Sequence, residues 1–147
     1  MRLQRLIDWY QGLSPASLAE LPELYHEQAR FRDPFNDVTG QDAIAAIFSH
    51  MFENTAQPAF RVTDSQQRDD TAWVSWVFSG RLRGRAFAVE GVTRLEFAGD
   101  GRVIEHRDYW DSAELYVQLP MLGTIVRFIR NRMSAAGRAP HYGQTEP

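Results

Sequence analysis

From Ala59 to Trp110 the chain reads as one strand after another, and this stretch fixes most of what it can become. Phe60-Arg-Val-Thr, Thr71 to Arg83, Arg85 to Phe97 and Arg102 to Trp110 carry the β-branched and aromatic residues that favour extended backbone. Asp70 and Gly99-Asp100-Gly101 punctuate them as tight turns, so the strands are expected to form one largely antiparallel meander. Helices come first. Leu3, Leu6, Ile7 and Tyr10 recur at helical spacing, Ser14-Pro15 stops that helix, and Ser17 with Glu20 has the spacing of a capping box for a second. Ala29 to Phe35 reads as a short strand or edge segment, ended at Asp33-Pro34 because proline removes a ladder donor. After Gly40 a third helix carries Ile44, Ile47, Phe48 and Met51 on one stripe. Helices followed by a run of antiparallel strands give an α+β fold in which the helices cover one concave sheet face.

After the strands, Asp111 and Glu114 again have capping-box spacing, opening a short helix, and beyond Pro120 comes a helix with both apolar residues and arginines. A chain of 147 residues with 44% hydrophobic content fits a single domain over 1–134, and the Gly- and Pro-containing polar segment 135–147 reads as a disordered tail. The formal charge of -3 is spread along the chain, and no basic block is long enough to track a phosphate backbone, so nucleic acid is not an expected partner. Cysteine is absent, which excludes thiolate metal sites and fits a reducing cytoplasm. No secretion signal and no membrane span are read. His26, His50 and His141 show no paired ligand spacing, so no metal is expected.

Two segments resemble the ketosteroid isomerases of the nuclear transport factor 2-like superfamily. Asp33-Pro34-Phe35, Gly40 and Ile44-Ala45-Ala46 are similar to that family's Asp-Pro-Phe, loop, Gly and Ile-Ala-Ala helix. Phe97, Gly101-Arg102-Val103 and Tyr109-Trp110 resemble its closing hairpin and last strand. The likeness spans roughly Leu18 to Asp111 and implies a cone-shaped α+β barrel, a curved and mostly antiparallel sheet wrapped by N-terminal helices around a pocket. SnoaL-like polyketide cyclases and limonene epoxide hydrolases share this fold, so the resemblance speaks to fold before reaction. It also implies a homodimer.

Residue by residue, the resemblance puts Asp33 at the family's general base, a carboxylate that moves a proton beside a carbonyl. Ketosteroid isomerase pairs that base with a tyrosine and a protonated Asp as oxyanion donors. Here the second position is Thr93, an apolar residue near Leu6 stands at the first with Tyr10 one turn away, Phe48 replaces a helper tyrosine, and Tyr25 matches another. Each lost donor costs on the order of 100- to 1000-fold in rate, which argues against ordinary steroid isomerisation. On the last strand His106, Asp108 and Trp110 share one face by the two-residue period, and the resemblance makes that the pocket face.

The expected site is therefore Asp33, His106 and Asp108 as acid–base groups, with Phe31, Phe35, Phe48, Trp76, Phe78, Thr93, Trp110 and Tyr25 lining a substrate pocket. The bland readings stand beside these. An Asp before Pro at a strand end is a common turn-former. His106 and Asp108 could simply satisfy each other, and Trp73, Trp76 and Phe78 could simply be core. Arg81, Arg83 and Arg85 at a hairpin tip read as a solvated edge, with an acidic ligand group as the alternative. The C-terminal helix either packs, as a lid or dimer contact, or rests on a lipid surface.

The reading as a whole is cofactor-independent proton transfer, of isomerase or cyclase type, on an apolar carbonyl-bearing small molecule. A non-catalytic ligand-binding domain is the alternative. An epoxide hydrolase ranks lower, since it would need an Arg beside its carboxylates and water and none is read as lying inside.

Overall fold

In the computed structural model, residues 2–118 and 122–133 are described. The chain divides into two compact units, Met1–Ser112 and Ala113–Pro147. The first holds α1 (Arg2–Gln11), a 3-10 turn (Ala16–Glu20), α2 (Leu21–Leu24), β1 (Tyr25–Arg32), β2 (Asp37–Thr39), α3 (Gln41–Asn54), β3 (Ala56–Arg68), β4 (Thr71–Leu82), β5 (Arg85–Phe97) and β6 (Val103–Trp110).

The six strands run in the order β2-β1-β6-β5-β4-β3. The meander β3 to β6 is antiparallel as its turns require, and β1 then joins β6 in parallel, with Phe31 opposite His106. This mixed sheet with its helices is the α+β architecture expected. At the β4–β5 turn Arg83 and Gly84 both take positive φ, the backbone of a primed hairpin turn, so β4 stops one residue earlier than its pattern suggests. Register shifts between Val62 and Asp64 and between Glu96 and Phe97 bend the long strands.

One face of the sheet is closed by α1 and α3. The stripe Leu3, Leu6, Ile7 and Tyr10 is buried, and Trp9 meets Phe48 of α3 edge to face with centroids 5.5 Å apart. Tyr25, Ala29, Phe31, Val74, Val89, Leu95 and Val103 supply the sheet's share of this core. Each large side chain buried there contributes about 1.5–3 kcal/mol. Gly40 aims α3 at the sheet. Its φ of +102° is open only to glycine, and it lets Gly40 N–H donate to Ala29 O at 2.8 Å while its own carbonyl accepts from Ile44 N–H in the first turn of α3.

The hydrogen bonds at the start of the 3-10 turn differ from the expected capping box. Ser14 and Ser17 exchange bonds, Ser14 N–H to Ser17 Oγ at 2.9 Å and Ser17 N–H to Ser14 Oγ at 3.2 Å, whereas Glu20 makes no side-chain cap. Ser17 is already inside the turn, so its hydroxyl reaches back to Ser14.

The second unit holds all of α4 (Ser112–Val117) but its first residue, and α5 (Leu122–Met133), with Arg127 Nη1 donating to Val117 O at 3.0 Å. The expected tail 135–147 and Pro120 lie outside the described residues. No helix among the described residues is long and apolar enough to cross a membrane.

Candidate active site

The two-residue period of β6 sends His106 and Asp108 to the helix-covered face, and the strands on either side supply their partners. Asp108 stands directly opposite Thr93 on β5, and His106 lies against Phe31 of β1, rings 4.3 Å apart and 29° from parallel. His106 is 2% exposed, and the Asp108 side chain 16%.

These groups form one chain of hydrogen bonds. Trp76 Nε1–H donates to Thr93 Oγ1 at 2.8 Å, and Thr93 Oγ1–H donates to Asp108 Oδ1 at 2.5 Å. His106 Nε2 meets the same Oδ1 at 2.8 Å. On the other side of the ring, Nδ1 lies 2.9 Å from both the Tyr10 and the Tyr25 hydroxyls, which also bond each other. Counting protons assigns the tautomer. With Nε2–H directed at Asp108, Nδ1 accepts from one tyrosine, which accepts from the second, and every proton has an acceptor. An imidazolium would leave one phenol proton with none. Both bonds to Asp108 fall on Oδ1, and among the described residues nothing donates to its Oδ2.

Burial pushes both phenols upward from their ordinary pKa of 10.0. In Tyr10 the charge of Tyr25 adds to burial, and in Tyr25 the Tyr10 hydrogen bond offsets part of it. Both therefore remain proton donors at neutral pH. Their linkage to stability has a definite sign. Below pH 10 the folded and unfolded chains both hold the phenol protons and stability is pH-independent. Above it the unfolded chain releases protons that the folded one retains, and stability falls by up to about 1.4 kcal/mol per pH unit for each tyrosine. Urea midpoints measured from pH 8 to 12 should drop from pH 10 upward, and Tyr25→Phe should make the drop shallower.

The cavity beside this network is lined by Tyr10, Phe48, Phe60, Val62, Val74, Trp76, Thr93, His106 and Asp108, and its volume is about 20 Å³. That is room for roughly one water. The substrate-sized pocket expected from the sequence is thus filled by side chains, chiefly the Phe60–Trp76 pair at 5.6 Å. Trp76 can lie so deep because its cross-strand partner is Gly91. A Cβ there would stand 2.4–2.9 Å from three carbons of the indole. Gly91→Ala should displace the ring, break its bond to Thr93 and cost about 1–3 kcal/mol. A lowered urea midpoint and a shifted Trp76 indole N–H resonance would check this.

The other expected site residues are placed as follows. Asp33 does not line the cavity. Its Oδ1 accepts from Phe35 N–H at 2.8 Å, Asn36 N–H at 2.6 Å and Asn36 Nδ2 at 3.1 Å, and its Oδ2 accepts from Asn36 Nδ2 at 3.1 Å. The carboxylate thus closes the β1–β2 turn. It also borders an open groove with Pro34, Tyr109, Trp110 and Asp108, so Asp108 belongs to both the groove and the cavity. Phe35 is 56% exposed and packs edge-on against Trp110 at the groove, not in the cavity. Phe78 stacks on Phe60 behind the cavity wall at 4.6 Å, and Phe31 and Tyr25 back His106. Tyr10 is the member that sequence reasoning left outside the site, although its place on the buried stripe of α1 was the available signal. Among the described residues no group of three His, Asp or Glu is placed to hold a metal.

Residues 6–106 match the model of the SnoaL-like domain. The chain belongs to this family. SnoaL-like membership agrees with the solved structures that resemble it. A Catenulispora acidiphila protein with a ketosteroid isomerase-like fold, solved in complex with trimethylamine, superposes with a TM-score of 0.69 at 19% identity, covering 81% of this chain and 93% of that one. TsrD from Streptomyces laurentii gives 0.67 at 21% identity over 83% and 92%. An LEH-like epoxide hydrolase from M. tuberculosis gives 0.65 at 12% identity over 87% and 92%. At these identities the likeness is one of fold. No curated protein matches the chain.

Proposed function

We propose that this SnoaL-like domain moves a proton on an apolar, carbonyl-bearing small molecule, with Asp108 as the base. The observation that carries the reading is the asymmetry of the Asp108 carboxylate. Thr93 and His106 fix Oδ1, no described residue donates to Oδ2, and Asp108 lines a cavity whose walls are mostly apolar. A general base needs that combination of fixed orientation and an available lone pair. In the step proposed, a C–H proton beside the carbonyl passes to Asp108 Oδ2, and the electron pair moves onto the carbonyl oxygen. That oxygen accepts from the Tyr10 hydroxyl, which turns from the network toward the cavity it lines while Tyr25 donates to His106 Nδ1, and the substrate enters as the Phe60 and Trp76 rings part. Asp108 then returns the proton to another carbon, or the enolate carbon adds to a second carbonyl of the substrate, whose π pair moves onto its oxygen, and that alkoxide takes the proton back from Asp108. Tyr25 and His106 hold the Tyr10 hydroxyl and the base in one connected array. Asp33 is proposed as a turn-former and groove residue, because both its oxygens are engaged locally.

The cavity volume favours a second reading, a non-catalytic binding domain in which the buried network serves the fold. No arginine lines the cavity among the described residues, which counts against an epoxide hydrolase arrangement. A homodimer is kept within the proposal, supported by Trp73 and Tyr109, exposed and in contact on the other sheet face with Arg94 and Arg107 over their rings.

The test is a thermal-shift panel of steroids, polyketide-like aromatics, epoxides and fatty acyl compounds on the wild type, Asp108→Asn and Asp33→Asn, with each hit followed for conversion. Binding raises the midpoint by mass action. Conversion by the wild type that Asp108→Asn loses supports the catalytic reading. Binding without conversion leaves the non-catalytic one.

A further inference from the structure

The second unit has a surface that the site does not use. In α5, Ile125, Phe128, Ile129 and Met133 recur at three- and four-residue spacing, so they share one face, and they are 58%, 60%, 51% and 82% exposed. The Arg132 guanidinium lies 5.5 Å over the Phe128 ring, while Arg127 stands on the opposite side of the helix and donates to Val117 O. The charge along this stretch of sequence is one-sided. Between Glu114 and Glu146 the chain holds Arg127, Arg130, Arg132 and Arg138 and no acidic residue, although the whole chain is formally -3.

We propose that α5 docks this unit on an anionic bilayer surface. Three observations select that occupant. An apolar strip with a phenylalanine and an arginine laid along its ring suits the boundary between headgroup and acyl chain, where the stem is buried and the charge stays with the phosphates. The +4 segment is complementary to acidic lipid and set against the acidic balance of the rest of the chain, and arginine's fork matches phosphate oxygens. At 12 residues the helix is too short to cross, since a span takes about 20, so it lies in the plane of the interface. The inference is independent of the chemistry proposed for Asp108.

The experiment is co-sedimentation of the full chain with phosphatidylcholine vesicles, with and without about 30 mol% phosphatidylserine. The expected result is binding to the acidic vesicles that weakens with added salt. Arg132→Gln should weaken it roughly fivefold, Arg127→Gln, on the side of the helix away from the bilayer, by less than about twofold, and Phe128→Ala with Ile129→Ala by at least about tenfold. These side chains are exposed, so the far-UV spectrum should be unchanged, and the salt dependence of the wild type is read without any variant. Equal binding to neutral and acidic vesicles, or binding to neither, would overturn the proposal. So would a wild-type dimer that Phe128→Ala with Ile129→Ala splits without any vesicle binding, because the face would then belong to a second copy.

Discussion

Asp108→Asn is expected to lower turnover by about 10²- to 10⁴-fold, the range a positioned general base supplies, with little change in stability. The amide keeps an oxygen for Thr93 and His106 at the Oδ1 position, so the hydrogen-bond chain survives. What is lost is the basic lone pair at Oδ2. Asp33→Asn is the matched control. The amide oxygen can still accept from the Phe35 and Asn36 amides that define its turn, so both stability and turnover should stay near wild type. The pair of variants separates the base assigned by geometry from the one implied by resemblance. Steady-state rates on any compound that the wild type converts supply the comparison.

The largest expected effect on stability is that of His106→Ala. Its two ring nitrogens join Asp108 on one side to Tyr10 and Tyr25 on the other, and its faces are packed by Phe31 and Tyr25. Truncation leaves two buried phenols and a carboxylate oxygen without that partner and opens a void among aromatic rings. Unpaired buried polar groups cost about 1–3 kcal/mol each, and a core cavity adds to this. A net loss of about 3–5 kcal/mol is expected, less than the sum because water can enter next to an existing water-sized cavity. His106→Gln, which keeps one donor and one acceptor, should recover part of it. Urea unfolding of the two variants measures the difference.

How far the sequence carried depended on whether the deciding contact was local. The meander was legible because its period and turns are encoded within each hairpin, and the shared face of His106 and Asp108 followed from the strand period alone. The parallel pairing of β1 with β6 was not, since it joins segments far apart in the chain. Tyr10 was missed for a related reason. Its stripe predicts burial, but only the packing of α1 across the sheet decides that its hydroxyl reaches His106.

Asp33 shows how one motif can carry two roles. Asp-Pro-Phe resembles a catalytic segment, yet the same residues form a self-contained turn whose amides use the carboxylate. Cavity volume was the least legible property, because it turns on how deeply Trp76 settles over Gly91 and how Phe60 packs against it. Those are questions of side-chain placement that neither pattern nor spacing contains.

The most direct test of the central claim is proton exchange at carbon. A panel of apolar ketones is incubated with the protein in D2O, and deuterium incorporation beside the carbonyl is followed by mass spectrometry. The account predicts incorporation by the wild type and by Asp33→Asn, and loss of it in Asp108→Asn. Incorporation that persists in Asp108→Asn but disappears in Asp33→Asn would contradict it, as would none with the wild type for a ketone shown to bind.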